Sequence, residues 1–325
     1  GMDTHGLVVA GIDPRMDRPE GVRRVLTHAA EPVRSRWNPD YSTILALYQH
    51  MGERVVETYE RSFAKYQRER HAKPKQLGRQ SNEQRLLTAR LAVLKRTGFI
   101  DEGQVTDLGA FTSRVNGYEI LGGLWRAAGL LDELGERGLA ILLLASVYEP
   151  RPNHSTRPSR DRNVGRLTTD AIAILAPFRE EEWQAGIVDL TPMPDFGLSA
   201  VMERWIDGRP LSALDEITSV GHGDVVRTLR LMLQFARQLR KALPPGEREI
   251  AAKLNRVMDL VNRDEVDARR QLELGQDPFA GDGDAAESEG DAASSPDDES
   301  NGDLDEDTDP EPDDGFGAGL EDPQD

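Results

Sequence analysis

Side chains that could bind an anion recur along one predicted helix between positions 224 and 241. Basic and polar residues follow one another at intervals of three and four, which places them on a single stripe: Arg227, Arg230, Gln234, Arg237 and Lys241. A row of guanidinium groups of this kind could contact the phosphate backbone of a nucleic acid. The alternative is the solvated outer face of an ordinary amphipathic helix, and the periodicity fits both interpretations.

A second group of arginines lies in a proline-containing segment from Arg151 to Arg166, which we predict to be a loop. Three of its side chains, Arg157, Arg160 and Arg162, are candidates for an electrostatic contact with nucleic acid. An exposed loop that binds no ligand is the alternative.

Residues for catalysis or metal binding form no motif in this sequence. It contains no phosphate-binding GxxxxGK[ST] loop, no DExH box, no HExxH motif and no GxSxG elbow. The chain has no cysteine, and its 6 histidines are scattered without ligand spacing. We therefore assign no catalytic, cofactor-binding or metal-binding residue to this chain.

Helical periodicity explains how the basic stripe would be positioned. Asp224 is a good N-cap for its helix, and apolar residues beginning with Val225 lie on the opposite side from the basic ones. An amphipathic helix containing Trp205 precedes it and should end at Gly208. The stretch from Asp195 to Lys241 thus predicts a compact helical unit.

Upstream, the pattern of residues 83–116 predicts a winged helix. A helix ends at Gly98, Phe99 and Ile100 can pair with Val105 across a short turn, and another short helix follows.

Further periodicities complete a mainly α-helical fold. We expect one amphipathic helix at 52–70, with inward residues Val55, Val56, Tyr59 and Phe63, and a last helix at 247–272. The apolar stretch from Leu139 to Tyr148 should be central to a multi-helix bundle. By contrast, Pro177 should break the helix expected from Leu167 to Trp183.

Charge is distributed unevenly along the 325 residues. Of the formal net charge of -18, residues 276–325 contribute 20 acidic side chains and no Lys or Arg, so residues 1–275 are near neutral. This tail has few apolar residues, and we expect it to be disordered. It could compete with a nucleic acid for the arginines, or serve as a solubilising extension that contacts nothing.

The order of particular residues resembles the DSHCT domain, the C-terminal helical domain of superkiller-type DExH RNA helicases, with the bacterial members nearest. The matching positions are Pro194 to Leu198, Trp205, Gly208, Leu211, Gly221, Gly223, Asp224, Val226 and Arg227. The segment from Val105 to Val115 is similar to the winged-helix signature of the same family, and Arg61 to Gln67 to an element that precedes it.

The resemblance implies a domain order. Residues 1–30 would end the second RecA-like motor lobe, with a short strand, and form its exit segment. Connector helices and the winged helix would occupy 31–116, the DSHCT bundle 117–275 and the disordered acidic tail 276–325.

By the same resemblance, the chain would be the C-terminal accessory region of an ATP-dependent RNA helicase, forming part of the RNA channel and supporting the motor lobes. Its partners would be single-stranded RNA and the N-terminal motor lobes. The absence of cysteine suits a cytoplasmic protein, and no apolar run is long enough to span a membrane, so we expect a cytoplasmic protein without membrane contact. ATP and Mg²⁺ would bind the motor lobes, so this chain alone should hydrolyse no ATP. The alternative is a free-standing helical adaptor that binds RNA or a protein without motor activity.

Overall fold

A computed structural model describes residue 35 and residues 37–71 and 81–267. In this part of the chain the fold is mainly α-helical, as the periodicities predict. The expected N-terminal strand and the acidic tail lie outside the described residues. None of the helices described is both long enough and apolar enough to cross a membrane.

The first half of the described chain contains a short hairpin. Its elements are α1 (Tyr41–Met51), a 3₁₀ helix (Gly52–Arg61), α2 (Phe63–His71), α3 (Asn82–Arg96), β1 (Ile100–Asp101), β2 (Gln104–Val105), α4 (Asp107–Thr112), α5 (Glu119–Ala127) and α6 (Leu130–Glu133).

The second half is a bundle of longer helices. Its elements are α7 (Glu136–Val147), α8 (Arg162–Gln184), a 3₁₀ helix (Phe196–Leu198), α9 (Ser199–Ile206), a 3₁₀ helix (Leu211–Leu214), α10 (His222–Ala242), α11 (Arg248–Val261) and a 3₁₀ helix (Asp264–Val266).

The predicted winged-helix succession is present between α3 and α4. Ile100 pairs with Val105 and Asp101 with Gln104 in an antiparallel hairpin. Gly109 is required where α4 crosses this hairpin, because a Cβ at that position would lie 2.2 Å from the carbonyl oxygen of Phe99.

Helix α7 is the centre of the bundle. Its residues from Leu139 to Val147 are buried on every side, and α8, α9, α10 and α11 all pack against it. The expectation for this apolar stretch is therefore confirmed, since only a helix surrounded by other helices can bury its whole circumference.

Helix α8 joins the bundle to the first half of the chain. It packs on α3 and α5 as well as on α7, and its Phe178 meets the ring of Tyr41 at 5.5 Å and that of Phe99 at 5.8 Å. These edge-to-face contacts place both halves of the described chain around one hydrophobic core.

The expected break at Pro177 is wrong. Helix α8 runs without interruption from Arg162 to Gln184 with Pro177 inside it. A proline removes one backbone hydrogen bond and costs roughly 3 kcal/mol in a helix interior. Burial of Leu175 and Phe178 on either side of the exposed Pro177 offsets this cost.

Two expected helices have different bounds. The segment 52–70 is divided by Ser62, whose backbone is extended, into a 3₁₀ helix and α2. The change to three residues per turn and the break alter which side chains face inward, so Val55 and Tyr59 are buried whereas Val56 and Phe63 are exposed. The last helix ends at Val261 rather than continuing to residue 272.

Candidate nucleic-acid interface

Helix α10 has the two faces that its sequence predicts. Val225, Leu229, Met232 and Leu239 are buried, whereas Arg227, Gln234, Arg237 and Lys241 are exposed. Within the part of the chain that the structure describes, the salt bridges include none to Arg227, Arg237 or Lys241. The three cations are therefore accessible to an anionic ligand along one side of α10.

Arg230 differs from the other members of the stripe because it is half-buried. Its Nε donates to the carbonyl oxygen of Val266 at 3.1 Å and one terminal nitrogen donates to that of Glu265 at 2.8 Å. The guanidinium thus links the 3₁₀ helix at residues 264–266 to α10 by hydrogen bonds. That Arg230 contacts RNA remains a prediction. Two of its N–H groups already donate hydrogen bonds within the protein.

The first turn of α10 departs from the sequence prediction. The helix begins at His222 and its N-cap is Gly221, so Asp224 lies inside the first turn. There the carboxylate of Asp224 accepts from both terminal nitrogens of Arg151, at 3.1 and 3.3 Å. A carboxylate in the first turn also interacts favourably with the helix dipole, and the partner of Asp224 is Arg151 rather than Arg227.

A cavity of about 340 Å³ lies beside this ion pair. Arg151, Asp224 and Arg227 line it together with Tyr118 and Glu149. Burial raises the pKa of the Tyr118 hydroxyl, and the charge of Glu149 raises it further while Arg227 lowers it. The two guanidinium groups and the neutral Tyr118 hydroxyl can each donate a hydrogen bond to an anion. The two carboxylates, those of Glu149 and Asp224, reduce the positive charge of the cavity.

A groove that also includes Arg227 lies along α10. Arg227, Arg230 and Gln234 line it together with Leu211 and Glu265. Arg227 and Leu231 line both the cavity and the groove, so these two surface features adjoin on α10.

The arginine-containing loop is shorter than predicted, because α8 already begins at Arg162. A bridge between Thr156 and Thr218 and a hydrogen bond from Ser155 to Ser219 hold the loop next to the segment that precedes α10. Arg151, which lies at its start, reaches α10 directly.

The three arginines of this loop that we predict to contact nucleic acid do not line the cavity beside Arg227. Arg157, Arg160 and Arg162 are exposed, but they are absent from the lining of the cavity at Arg227. Arg151 and Arg227 thus line one cavity, and the three loop candidates lie outside it. Sequence reasoning placed Arg151 in the loop without choosing it as a site residue, since no spacing indicates its pairing with Asp224, 73 positions away.

The acidic end of α8 is held by contacts within the protein. Glu182 is buried and accepts from the Tyr41 hydroxyl at 2.9 Å and from the Thr191 backbone amide at 2.8 Å. Glu181 is paired with Arg96. These glutamates organise the junction of α8 with α1 and α3 and offer no surface for phosphate.

The model of the DSHCT (NUC185) domain matches residues 102–268, just over half of the chain. The chain belongs to the DSHCT domain family, whose domain is found in superkiller-type helicases. No curated protein matches the chain.

Proposed function

We propose that this chain is the C-terminal accessory region of an ATP-dependent RNA helicase, and that the exposed side of α10 contacts the backbone of single-stranded RNA. The family match supports the helicase context, and it covers α10 completely. The observation that carries the RNA contact is the row of exposed cations at Arg227, Arg237 and Lys241. At 1.5 Å per residue these positions extend over about 21 Å of helix, enough to contact more than one phosphate.

Motor chemistry would belong to other parts of the parent protein. Among the described residues, no three His, Asp or Glu side chains are grouped so that they could hold a metal ion. In this proposal, ATP and Mg²⁺ are bound by the N-terminal motor lobes. In this proposal the bundle forms part of the RNA channel and supports those lobes in the cytoplasm.

Fluorescence anisotropy with a labelled single-stranded RNA tests the proposal. Arg227→Ala, Arg237→Ala and Lys241→Ala should each weaken binding at low salt. Arg85→Ala is the matched control, because Arg85 is also an exposed cation and lies on α3. It removes the same charge from a helix that packs on α8 rather than on α10. If Arg85→Ala weakened RNA binding as much as the α10 variants, the loss would reflect only the change in net charge, and this result would contradict the proposal.

A single-stranded DNA of the same sequence should be measured in parallel. Phosphate contacts are common to both nucleic acids, whereas a contact with the 2′-hydroxyl favours RNA. Tighter binding of RNA is expected for a channel that carries RNA. Binding of a protein partner at α10 with no affinity for either nucleic acid would favour the free-standing adaptor.

A further inference from the structure

Two aromatic rings on α2 are exposed to solvent next to each other. Phe63 is 50% and Tyr66 56% exposed, and their rings are stacked with centroids 5.9 Å apart and planes 19° from parallel. Exposed rings of this size on one helix face are a feature of surfaces that another segment covers. We name Phe63, Tyr66 and Gln67 the α2 face, because positions i, i+3 and i+4 lie on the same side of a helix.

The N-terminal side of the chain enters the described structure at this face. The backbone amide of Ser35 donates to Oε1 of Gln67 at 2.8 Å, and the ring of Trp37 packs edge-on against Tyr59 at 6.4 Å. Ser35, the described residue next to residues 1–34, therefore lies at the α2 face. Covalent connection thus gives residues 1–34 a high local concentration at the α2 face.

Two polar atoms at this entry point need hydrogen-bond acceptors. The indole nitrogen of Trp37 and the hydroxyl of Tyr59 are buried, and neither has a hydrogen-bond partner within the described part of the chain. Tyr59 itself is only 1% exposed. A buried donor without an acceptor costs about 1–3 kcal/mol, so a segment that brings backbone carbonyls to this place would be stabilised.

We propose that the α2 face is the docking surface for residues 1–34 of the same chain. That segment supplies the apolar side chains that such an interface needs, including Leu7, Val8, Val9, Val25 and Leu26. The acidic tail is a poorer occupant, since its 50 residues carry 20 carboxylates and few apolar side chains. This docking is independent of the RNA contact proposed for α10, and it differs from the assignment of residues 1–30 to the second motor lobe that the family resemblance implies.

Photo-crosslinking on the full chain tests the proposal cleanly, because the chain has no cysteine. A benzophenone maleimide attached to Phe63→Cys or Tyr66→Cys should form cross-links that mass spectrometry maps to residues 1–34. Trp183→Cys, which replaces a ring that is 67% exposed on α8, is the matched control and should give none there. Equal mixing of ¹⁴N-labelled and ¹⁵N-labelled chains distinguishes cross-links within one chain from those between two copies.

Cross-links from positions 63 and 66 to the acidic tail, to a second copy or to added single-stranded RNA would overturn the proposal, and so would a yield no higher than that of the control. A second measurement avoids the label. The double substitution Phe63→Ser with Tyr66→Ser should accelerate hydrogen exchange in residues 1–34, whereas Trp183→Ser should leave it unchanged. Unchanged exchange in the double variant would also overturn the proposal.

Discussion

Arg151 donates to both carboxylate oxygens of Asp224, at 3.1 and 3.3 Å, and thereby links the loop after α7 to the first turn of α10. The pair is partly solvated, with 58% of the Arg151 side chain and 34% of the Asp224 side chain exposed. Its net contribution to stability should therefore be small, about 0–1 kcal/mol. Its effect on ligand binding should be larger, because Asp224 neutralises a guanidinium that lines the same cavity as Arg227.

The first prediction concerns this neutralisation. Asp224→Asn removes a negative charge from the cavity and releases Arg151 from its partner, so single-stranded RNA should bind more tightly at low salt. Anisotropy titrations would measure the change, with Asp107→Asn, at an exposed first-turn position of α4, as the control for net charge. Weaker RNA binding by Asp224→Asn would show that the ion pair positions the interface rather than masking it.

A second prediction separates Arg230 from Arg227. Arg230→Ala should lower the free energy of unfolding by about 1 kcal/mol, because hydrogen bonds to the carbonyl oxygens of Glu265 and Val266 are lost. Hydrogen exchange at residues 264–267 should become faster. Arg227→Ala should leave both quantities nearly unchanged and weaken RNA binding instead. If the two variants exchanged these effects, the assignment of a structural role to Arg230 would be wrong.

The third prediction concerns the core contact of Trp205. This side chain is fully buried, its indole nitrogen donates to the carbonyl oxygen of Val261 at 2.9 Å, and the guanidinium of Arg263 lies 3.8 Å from the ring centroid. Trp205→Phe should cost about 2 kcal/mol or more, since it leaves a cavity and a buried carbonyl without its donor. Trp183→Phe, at an exposed position, should change the melting temperature little, and an equal loss in both variants would argue against this account.

A fourth prediction uses the buried carboxyl of Glu119. Burial raises its pKa, and the nearby charge of Asp40 acts in the same direction. A carboxyl whose pKa is higher in the folded state favours folding while it is protonated, and this contribution is lost as the pH rises through the folded pKa. Glu119→Gln keeps an oxygen that can accept from the Tyr41 amide and removes the titration.

The stability of Glu119→Gln relative to the unsubstituted chain should therefore increase as the pH rises above 4.5, the ordinary pKa of a glutamate. Urea unfolding at several pH values measures this difference. A difference that stays constant, or that decreases with pH, would contradict the assigned direction of the pKa shift.

Local patterns were sufficient for most helices and for the hairpin. The apolar stripe of α10 and the pairing of Ile100 with Val105 follow from spacing and from turn residues a few positions away. The continuity of α8 through Pro177 could not be foreseen in this way, because it depends on the packing of Phe178 against Tyr41 and Phe99.

The sequence predicted fewer features of the candidate nucleic-acid interface than of the fold. Spacing placed Arg227, Arg237 and Lys241 on one exposed side of α10. It did not distinguish Arg230, whose carbonyl acceptors lie 35 and 36 positions further along the chain. Contacts between residues that are distant in sequence have no periodic signal, and they decide which cations are available to a ligand.

The salt dependence of single-stranded RNA binding tests the central claim most directly. If the α10 cations contact phosphates, the logarithm of the affinity of the unsubstituted chain should fall linearly with the logarithm of the salt concentration. The triple variant Arg227→Ala, Arg237→Ala, Lys241→Ala should lose up to about 0.7 in slope for each phosphate contact removed. A triple variant with an intact fold and the same affinity and slope as the unsubstituted chain would contradict the account.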